Sequence, residues 1–187
     1  GYLFMITSQG YVKKTELKEY DTHLRTKGLR GISLEEGDEL RWVLWTDGNK
    51  DILLSTRQGM AIRFDEDDVR PMGRATRGVQ GISMRKKDEL ISAVCLNKKD
   101  KRDLLVVSEK GLGKRTPLEE YRRQNRNGLG LITMKVTDKN GPIVGTEVVE
   151  DDDEIMCITS AGVLIRMPVA NIRQCGRNTQ GVKVVSP

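Results

Sequence analysis

The chain has 187 residues, with 32 Lys plus Arg against 27 Asp plus Glu and a net charge of +5; this suits one good-sized core or a short array of repeats. Only 4% of residues are aromatic, which argues against a large aromatic-lined ligand pocket, and no run approaches the ~18 apolar residues that span a bilayer. The three cysteines, Cys95, Cys157 and Cys175, form no CxxC pair, and with the lone His23 they argue against zinc and for a reducing, cytoplasmic setting.

Read from the N-terminus, Gly1-Tyr2-Leu3-Phe4 opens directly into a strand-like run with no leader pattern. The first predicted strand, Leu3 to Thr7, passes through Ser8-Gln9 into Gly10, as a strand enters a hairpin turn that needs φ > 0. Lys14 follows four residues later and Tyr20 ten residues later. A basic loop with Arg25 and Lys27 leads to Gly28, then to a strand around Ile32 and a fourth strand from Leu40 to Trp45.

The pattern then restarts. Ile52 to Gly59 repeats the strand and turn, followed by Arg63, Val69, the loop Arg70, Arg74 and Arg77, then Gly78, Ile82 and a strand from Leu90 to Leu96. A third copy runs from Leu104 to Gly111, with Arg115, Tyr121, the loop Arg122, Arg123 and Arg126, then Gly128, Ile132 and Ile143 to Val149. A fourth runs from Ile155 to Gly162, with Arg166, Ile172, Arg173, Arg177, Gly181 and Val185, and lacks a fourth strand. The turn glycines lie 49, 52 and 51 residues apart.

Each unit is about four strands in roughly 50 residues. An isolated sheet of that size exposes apolar faces and bare edges, which radial stacking of sheets buries. The expected fold is all-β, a β-propeller or β-pinwheel of about four four-stranded antiparallel blades. It forms one repeat domain over 1–187 with blades near 1–50, 51–102, 103–153 and 154–187, the last incomplete. A β-sandwich with accidental similarity is the competing reading. Agreement of turn glycine, cation, apolar anchor and second glycine in every copy argues against it.

Equivalent loops of stacked blades occupy equivalent places on a rim, so periodic cations there form a belt. Acid is concentrated in other turns, Asp65-Glu66-Asp67-Asp68 and Glu150 to Glu154. The expected partner is double-stranded DNA, held through phosphates without base readout. Neutralising ~8 phosphates would weaken binding roughly 10⁴-fold between 50 and 200 mM salt. The candidate contacts are Lys13, Lys14, Arg25, Lys27, Arg30, Arg63, Arg70, Arg74, Arg77, Lys114, Arg115, Arg122, Arg123, Arg126, Arg166, Arg173 and Arg177. The cations four past each glycine have a second reading, as partners of an acid inside their own blade. Cys95 and Cys157 read as core positions, and Trp42 and Trp45 as inter-blade packing. Tyr20 and Tyr121 read as blade anchors. No paired carboxylates, nucleophile with a base, or phosphate loop points to an enzyme.

Four strings carry a family resemblance: Gln9-Gly10-Tyr11-Val12-Lys13-Lys14-Thr15, Gly111-Leu112-Gly113-Lys114-Arg115-Thr116, Met134 to Gly141, and Gly176-Arg177-Asn178-Thr179-Gln180-Gly181-Val182. They are similar to the C-terminal β-pinwheel domain of the DNA gyrase A subunit, of the bacterial type IIA topoisomerases. The topoisomerase IV A subunit shares that architecture, and the last two strings look more like gyrase. The resemblance implies a module that wraps DNA around its basic edge, so that ATP-driven strand passage introduces negative supercoils. It implies no cofactor for this domain, the ATP and Mg of the holoenzyme belonging elsewhere. It also implies the rest of the gyrase A subunit, together with the gyrase B subunit, as partners in an A2B2 assembly, no membrane, and the bacterial cytoplasm at the nucleoid. A protein-interaction propeller is the alternative. Two departures from the family stand out. Six blades are usual, and this chain resembles the final four. The wrapping motif Q-R-R-G-G-K-G is absent, and Arg25-Thr26-Lys27-Gly28-Leu29-Arg30-Gly31 reads as an ordinary blade loop. The expectation is a piece lacking its first blades that still binds DNA.

Overall fold

Turn glycines set the first element of every repeat. In the computed structural model, which describes residues 1–23 and 27–186, β1 (Tyr2–Thr7) and β2 (Tyr11–Glu16) form an antiparallel hairpin. β3 (Leu40–Thr46) pairs with the other edge of β1. The second repeat supplies β4 (Lys50–Thr56), β5 (Met60–Asp65), β6 (Val79–Gln80) and β7 (Leu90–Asn97). The third supplies β8 (Asp103–Ser108), β9 (Leu112–Pro117), β10 (Leu131–Ile132) and β11 (Ile143–Val149). The fourth supplies β12 (Glu154–Ile158), β13 (Leu164–Pro168) and β14 (Val182–Lys183). Gly10, Gly59, Gly111 and Gly162 close the four hairpins at φ between +76° and +92°, where a β-carbon is penalised and glycine is not.

The sheets are shared between repeats. Their strand orders are β3-β1-β2-β6, β10-β5-β4-β7 and β11-β8-β9-β14, with β12-β13 as a two-stranded remainder. The third strand of each of repeats two to four therefore completes the sheet of the repeat before it. In each full sheet the long fourth strand (β3, β7 or β11) forms one edge and the donated strand forms the other. β7 contacts both β3 and β11, so the long strands gather on the inner side and the donated strands lie outermost.

Alternation along each strand feeds two different cores. Ile52 and Leu54 of β4 pack against Phe4, Ile6 and Val12 of the first sheet. Leu53 between them packs against Leu104, Val106, Leu118 and Tyr121. Leu105 of β8 faces the opposite way, toward Val169, Ile172 and Ile155. Side chains alternate faces with a period of two, so a strand apolar at successive positions must be covered on both sides. Stacked blades provide that cover.

A short 3-10 turn ends each hairpin: Leu17–Tyr20, Glu66–Asp68, Leu118–Glu120 and Val169–Asn171. In the last three repeats the anchor ten residues past the turn glycine follows it, while Tyr20 of the first repeat closes its own turn and is half-buried. Val69, Tyr121 and Ile172 are buried, and the Tyr121 hydroxyl meets Thr133 Oγ1 at 2.6 Å. Burial pushes the Tyr121 phenol up to about 12.

One expectation needs a register correction. In the third repeat the glycine equivalent to Gly78 and Gly181 is Gly130, not Gly128. All three have positive φ (+97°, +80° and +78°) and lie against the backbone of Val12, Ala61 and Gly113, respectively. The core residue matching Ile82 is accordingly the buried Met134, while Ile132 is exposed. Trp45 also departs from expectation. Trp42 packs in the first core, but Trp45 lies exposed on the other face of the first sheet.

Candidate nucleic-acid interface

The basic loops fall on one edge because they belong to the donated segments. Pro71 of the second repeat bridges Lys14 of the first hairpin, and Gln80 pairs with Tyr11 nearby. Residues 73–77 form the loop between those two attachments, with Met72 and Gly78 still held against the first sheet. The same placement recurs where Arg123 bridges Arg63 and Gln174 bridges Arg115. Three successive basic loops thus decorate the outermost edges of three successive sheets.

Buried lysines hold two of these loops from beneath. The Lys13 ammonium donates to the carbonyls of Gly31 and Arg74. Lys114 donates to Gly176 O at 2.7 Å, to Arg177 O, and to Thr179 Oγ1 at 3.0 Å. Both side chains are fully buried, and desolvation brings each ammonium down to about 8. In the second sheet Ile62 takes this place. Lys13 and Lys114 therefore shape the loops and do not reach a phosphate.

Arg63, Arg115 and Arg166 follow the intra-blade reading, whereas Lys14 meets acids of the next repeat. Arg63 is 7% exposed and donates to Asp51 Oδ2 at 2.8 Å and to Leu118 O at 3.1 Å. Arg115 pairs with Asp103 at 3.2 Å and with Asp151. Arg166 pairs with Glu154 in the last hairpin, where both side chains are exposed. Lys14 is buried beside Glu66 and Asp67, the latter at 3.6 Å, and stands 5.0 Å from the Tyr2 ring centroid. As DNA contacts, Lys14, Arg63 and Arg115 are corrected to structural ions. The acidic turns are not a separate province either, since buried Glu66 accepts from Thr46 Oγ1 at 2.7 Å and Lys50 N at 2.8 Å.

The loop arginines divide into two kinds. Arg126 donates to Asp68 O and Gln80 O, both at 3.0 Å, and Arg177 donates to Ile132 O at 3.0 Å. These equivalent side chains clamp the donated strand of the preceding repeat. Arg77 pairs with Glu35 at 2.7 Å over the Tyr11 ring, and Arg123 shares Asp51 with Arg63. Among the described residues, Lys27, Arg30, Arg70, Arg74, Arg122 and Arg173 have side chains in no ion pair or hydrogen bond. Arg70, Arg122 and Arg173 occupy the same position, eleven past their turn glycines, and all three are exposed. Arg25 lies outside the described residues.

Sequence reasoning passed over one further group. Arg85, Lys86 and Lys87, in the turn before β7, line a depression of about 420 Å³ with Lys135 and Ile132. Ile132 is in donated strand β10, so this group adjoins the outer edge. Its signal was three consecutive cations where the first repeat has Glu35-Glu36-Gly37.

Cys95 and Cys157 lie on strands, whereas Cys175 sits in the fourth basic loop between Arg173 and Arg177. Burial pushes Cys95 up to about 11 and Cys157 in the same direction. No cluster of three or more His, Cys, Asp and Glu side chains among the described residues could hold a metal ion. No helix among them is long and apolar enough to cross a membrane.

Comparison with known proteins bears on the same segments. The model of the DNA gyrase C-terminal domain, a β-propeller family, matches residues 1–44, 50–97, 102–150 and 153–186. The chain belongs to that family. The gyrase C-terminal family match divides as the repeats do, one segment per hairpin. The DNA gyrase A subunit of Haloquadratum walsbyi is 42% identical over 184 residues, and that of Buchnera aphidicola is 45% identical over 183. Each match covers 98% of the chain and 21% of the relative, so the chain spans about a fifth of these relatives. Among solved structures, the C-terminal domain of DNA topoisomerase IV superposes with a TM-score of 0.92 at 31% identity, over all of this chain and 58% of that one. The DNA gyrase A C-terminal domain gives 0.85 at 25%, over 100% and 61%.

Proposed function

We propose that this chain binds double-stranded DNA along its outer edge, without base readout, and bends the duplex across successive blades. The observation that carries the reading is the recurrence of Arg70, Arg122 and Arg173, exposed and free of carboxylates, at one position of three consecutive outer loops. A phosphate backbone is a periodic polyanion, and equally placed guanidiniums on a curved edge match it without reading bases. Lys27, Arg30, Arg74 and the Arg85-Lys86-Lys87 turn extend the positive edge. With the buried ions set aside, ~6 neutralised phosphates correspond to a loss of roughly 10³-fold in affinity between 50 and 200 mM salt. Bending 20–30 base pairs through 40–90° costs about 1–6 kcal/mol, which contacts on several blades can offset.

In this reading the chain is the DNA-wrapping module of a gyrase A subunit. It contributes to negative supercoiling at the bacterial nucleoid, while the remainder of that polypeptide and the gyrase B subunit supply strand cleavage, ATP hydrolysis and Mg. The chain itself performs no catalytic step. A second reading, the equivalent module of topoisomerase IV, is favoured by the superposition on that domain. Ligation of nicked plasmid with the protein bound, followed by counting linking number, tests the proposal. A positive shift supports gyrase-like wrapping. Binding with no shift would sink wrapping and leave simple attachment.

A further inference from the structure

Two buried lysines turn a peptide of the overlying loop one way, and a hairpin without such a lysine turns it the other way. The residue three past each turn glycine lies against the loop of the following repeat. It is Lys13, Ile62 and Lys114 in the first three hairpins. Lys13 donates to Arg74 O and Lys114 to Arg177 O, carbonyls that stand four before Gly78 and Gly181. The peptide bonds of the described residues are trans, and a trans peptide directs its N–H opposite to its C=O. With those carbonyls aimed inward, the N–H groups of Ala75 and Asn178 face outward. Both residues are exposed, and among the described residues neither N–H has a hydrogen-bond partner.

The third repeat shows the alternative. Over Ile62 the equivalent N–H, that of Asn127, points inward and donates to Gly81 O at 2.7 Å, and Asn127 takes φ +63°. Gly31, at the position of Gly81, gives its carbonyl to Lys13 instead. An ammonium beneath the loop thus replaces the inward N–H and releases it to the surface. Lys114 also donates to Gly176 O at 2.7 Å and Thr179 Oγ1 at 3.0 Å, so three close acceptors meet the three donors of an ammonium. A neutral amine would turn a lone pair on one of them. Among the described residues, Cys175, Glu120 and Arg177 face Lys114, and Arg74 faces Lys13. Burial brings both ammoniums down to about 8, within reach of a pH titration.

We infer that the N–H groups of Ala75 and Asn178 are main-chain phosphate donors, and that Lys13 and Lys114 are the positioning residues that turn them outward. The ligand is a phosphodiester of duplex DNA; these donors deepen the proposed DNA-binding edge and rest on that reading. A phosphate oxygen accepts well from an N–H, and at Ala75 the unpaired Arg74 guanidinium adjoins it. The Arg126–Asn127 peptide presents its carbonyl outward instead, which repels a phosphate. The three loops therefore differ in main-chain donors even where their arginines correspond.

The test is a nuclear magnetic resonance titration of the whole chain with a short DNA duplex, read at the backbone amides. The Ala75 and Asn178 amide protons should move downfield and saturate with the duplex, and that of Asn127 should not. Lys13→Ile, which installs the residue of the second hairpin, should abolish the Ala75 shift and keep that of Asn178; Lys114→Ile should do the reverse. Each should weaken duplex affinity about tenfold at fixed salt. The slope of log K against log salt should stay unchanged, because a lysine that only positions an N–H releases no counterion. A direct lysine–phosphate contact would make it shallower by about 0.9. Affinity of the unaltered chain should also fall as pH rises from about 7 to about 9, and that of the double variant should not. Bound duplex that leaves the Ala75 and Asn178 amides unmoved overturns the inference and spares the proposed edge, whereas a chain that binds no duplex at low salt overturns both. A Lys13→Ile chain that keeps the Ala75 shift overturns the positioning role. Should a variant fail to fold, the amide shifts and pH series of the unaltered chain still decide.

Discussion

At the scale of single residues, the molecule uses its cations in two ways that composition cannot separate. Asp51 sits buried between Arg63 and Arg123 and accepts from both. Replacing it by alanine strands a buried guanidinium, a loss of about 3–5 kcal/mol, which urea melts would register. The signal for this pairing was in the sequence. Asp51, Asp103 and Glu154 lie eight before their glycines, diagonal across the hairpin from Arg63, Arg115 and Arg166, within reach of long side chains. The periodic cation was legible; its periodic acid was the missing half. Lys114 was legible as a cation and not as a buried one, because only the folded loop supplies its carbonyls. Lys114→Met leaves those carbonyls without a donor and should cost about 1–3 kcal/mol. The pH dependence has a definite sign. With a folded value near 8 against 10.5 unfolded, the folded chain releases its proton first as pH rises. Unfolding then takes up a proton, so stability should rise relative to Lys114→Met between pH 8 and 10.5. Parallel melts at pH 7.5 and 10 check this; a constant gap contradicts it.

At the scale of elements, hydrophobic alternation showed which segments are strands but not which sheet receives them. The hairpins and long fourth strands were plain because each strand is five to eight residues, rich in apolar side chains, and the hairpins flank a turn glycine. The donated strands pair over only two residues each, too short for a pattern to reveal a partner in another repeat. The same shortness allowed the slip in the third repeat, where Gly128 and Gly130 stand two apart. Alanine at Gly130 must adopt φ +80° against the Ala61 backbone and should cost about 2 kcal/mol or more. Alanine at Gly128, whose nearest neighbour is the Ile62 side chain at 3.4 Å, should cost about 1 kcal/mol or less. Thermal melting of the two variants distinguishes the registers, and the reverse order contradicts the assignment.

For the molecule as a whole, radial stacking converts a net charge of only +5 into an ordered positive edge. Stacking places each repeat's outer loop on the same side of consecutive sheets, and interior carboxylates absorb the cations that stacking buries. What remains outside is a smaller set than the arginine periodicity suggested, with Arg70, Arg122 and Arg173 as its repeating element. The most direct measurement is the salt dependence of duplex affinity for the unaltered chain and for the variant with Arg70, Arg122 and Arg173 all changed to Ala. The slope of log K against log salt should become shallower by about 0.9 for each arginine, hence by nearly 3 in all, with no change in melting and a similar loss on unrelated sequences. An unchanged slope would contradict the account and place the phosphate contacts elsewhere on the surface.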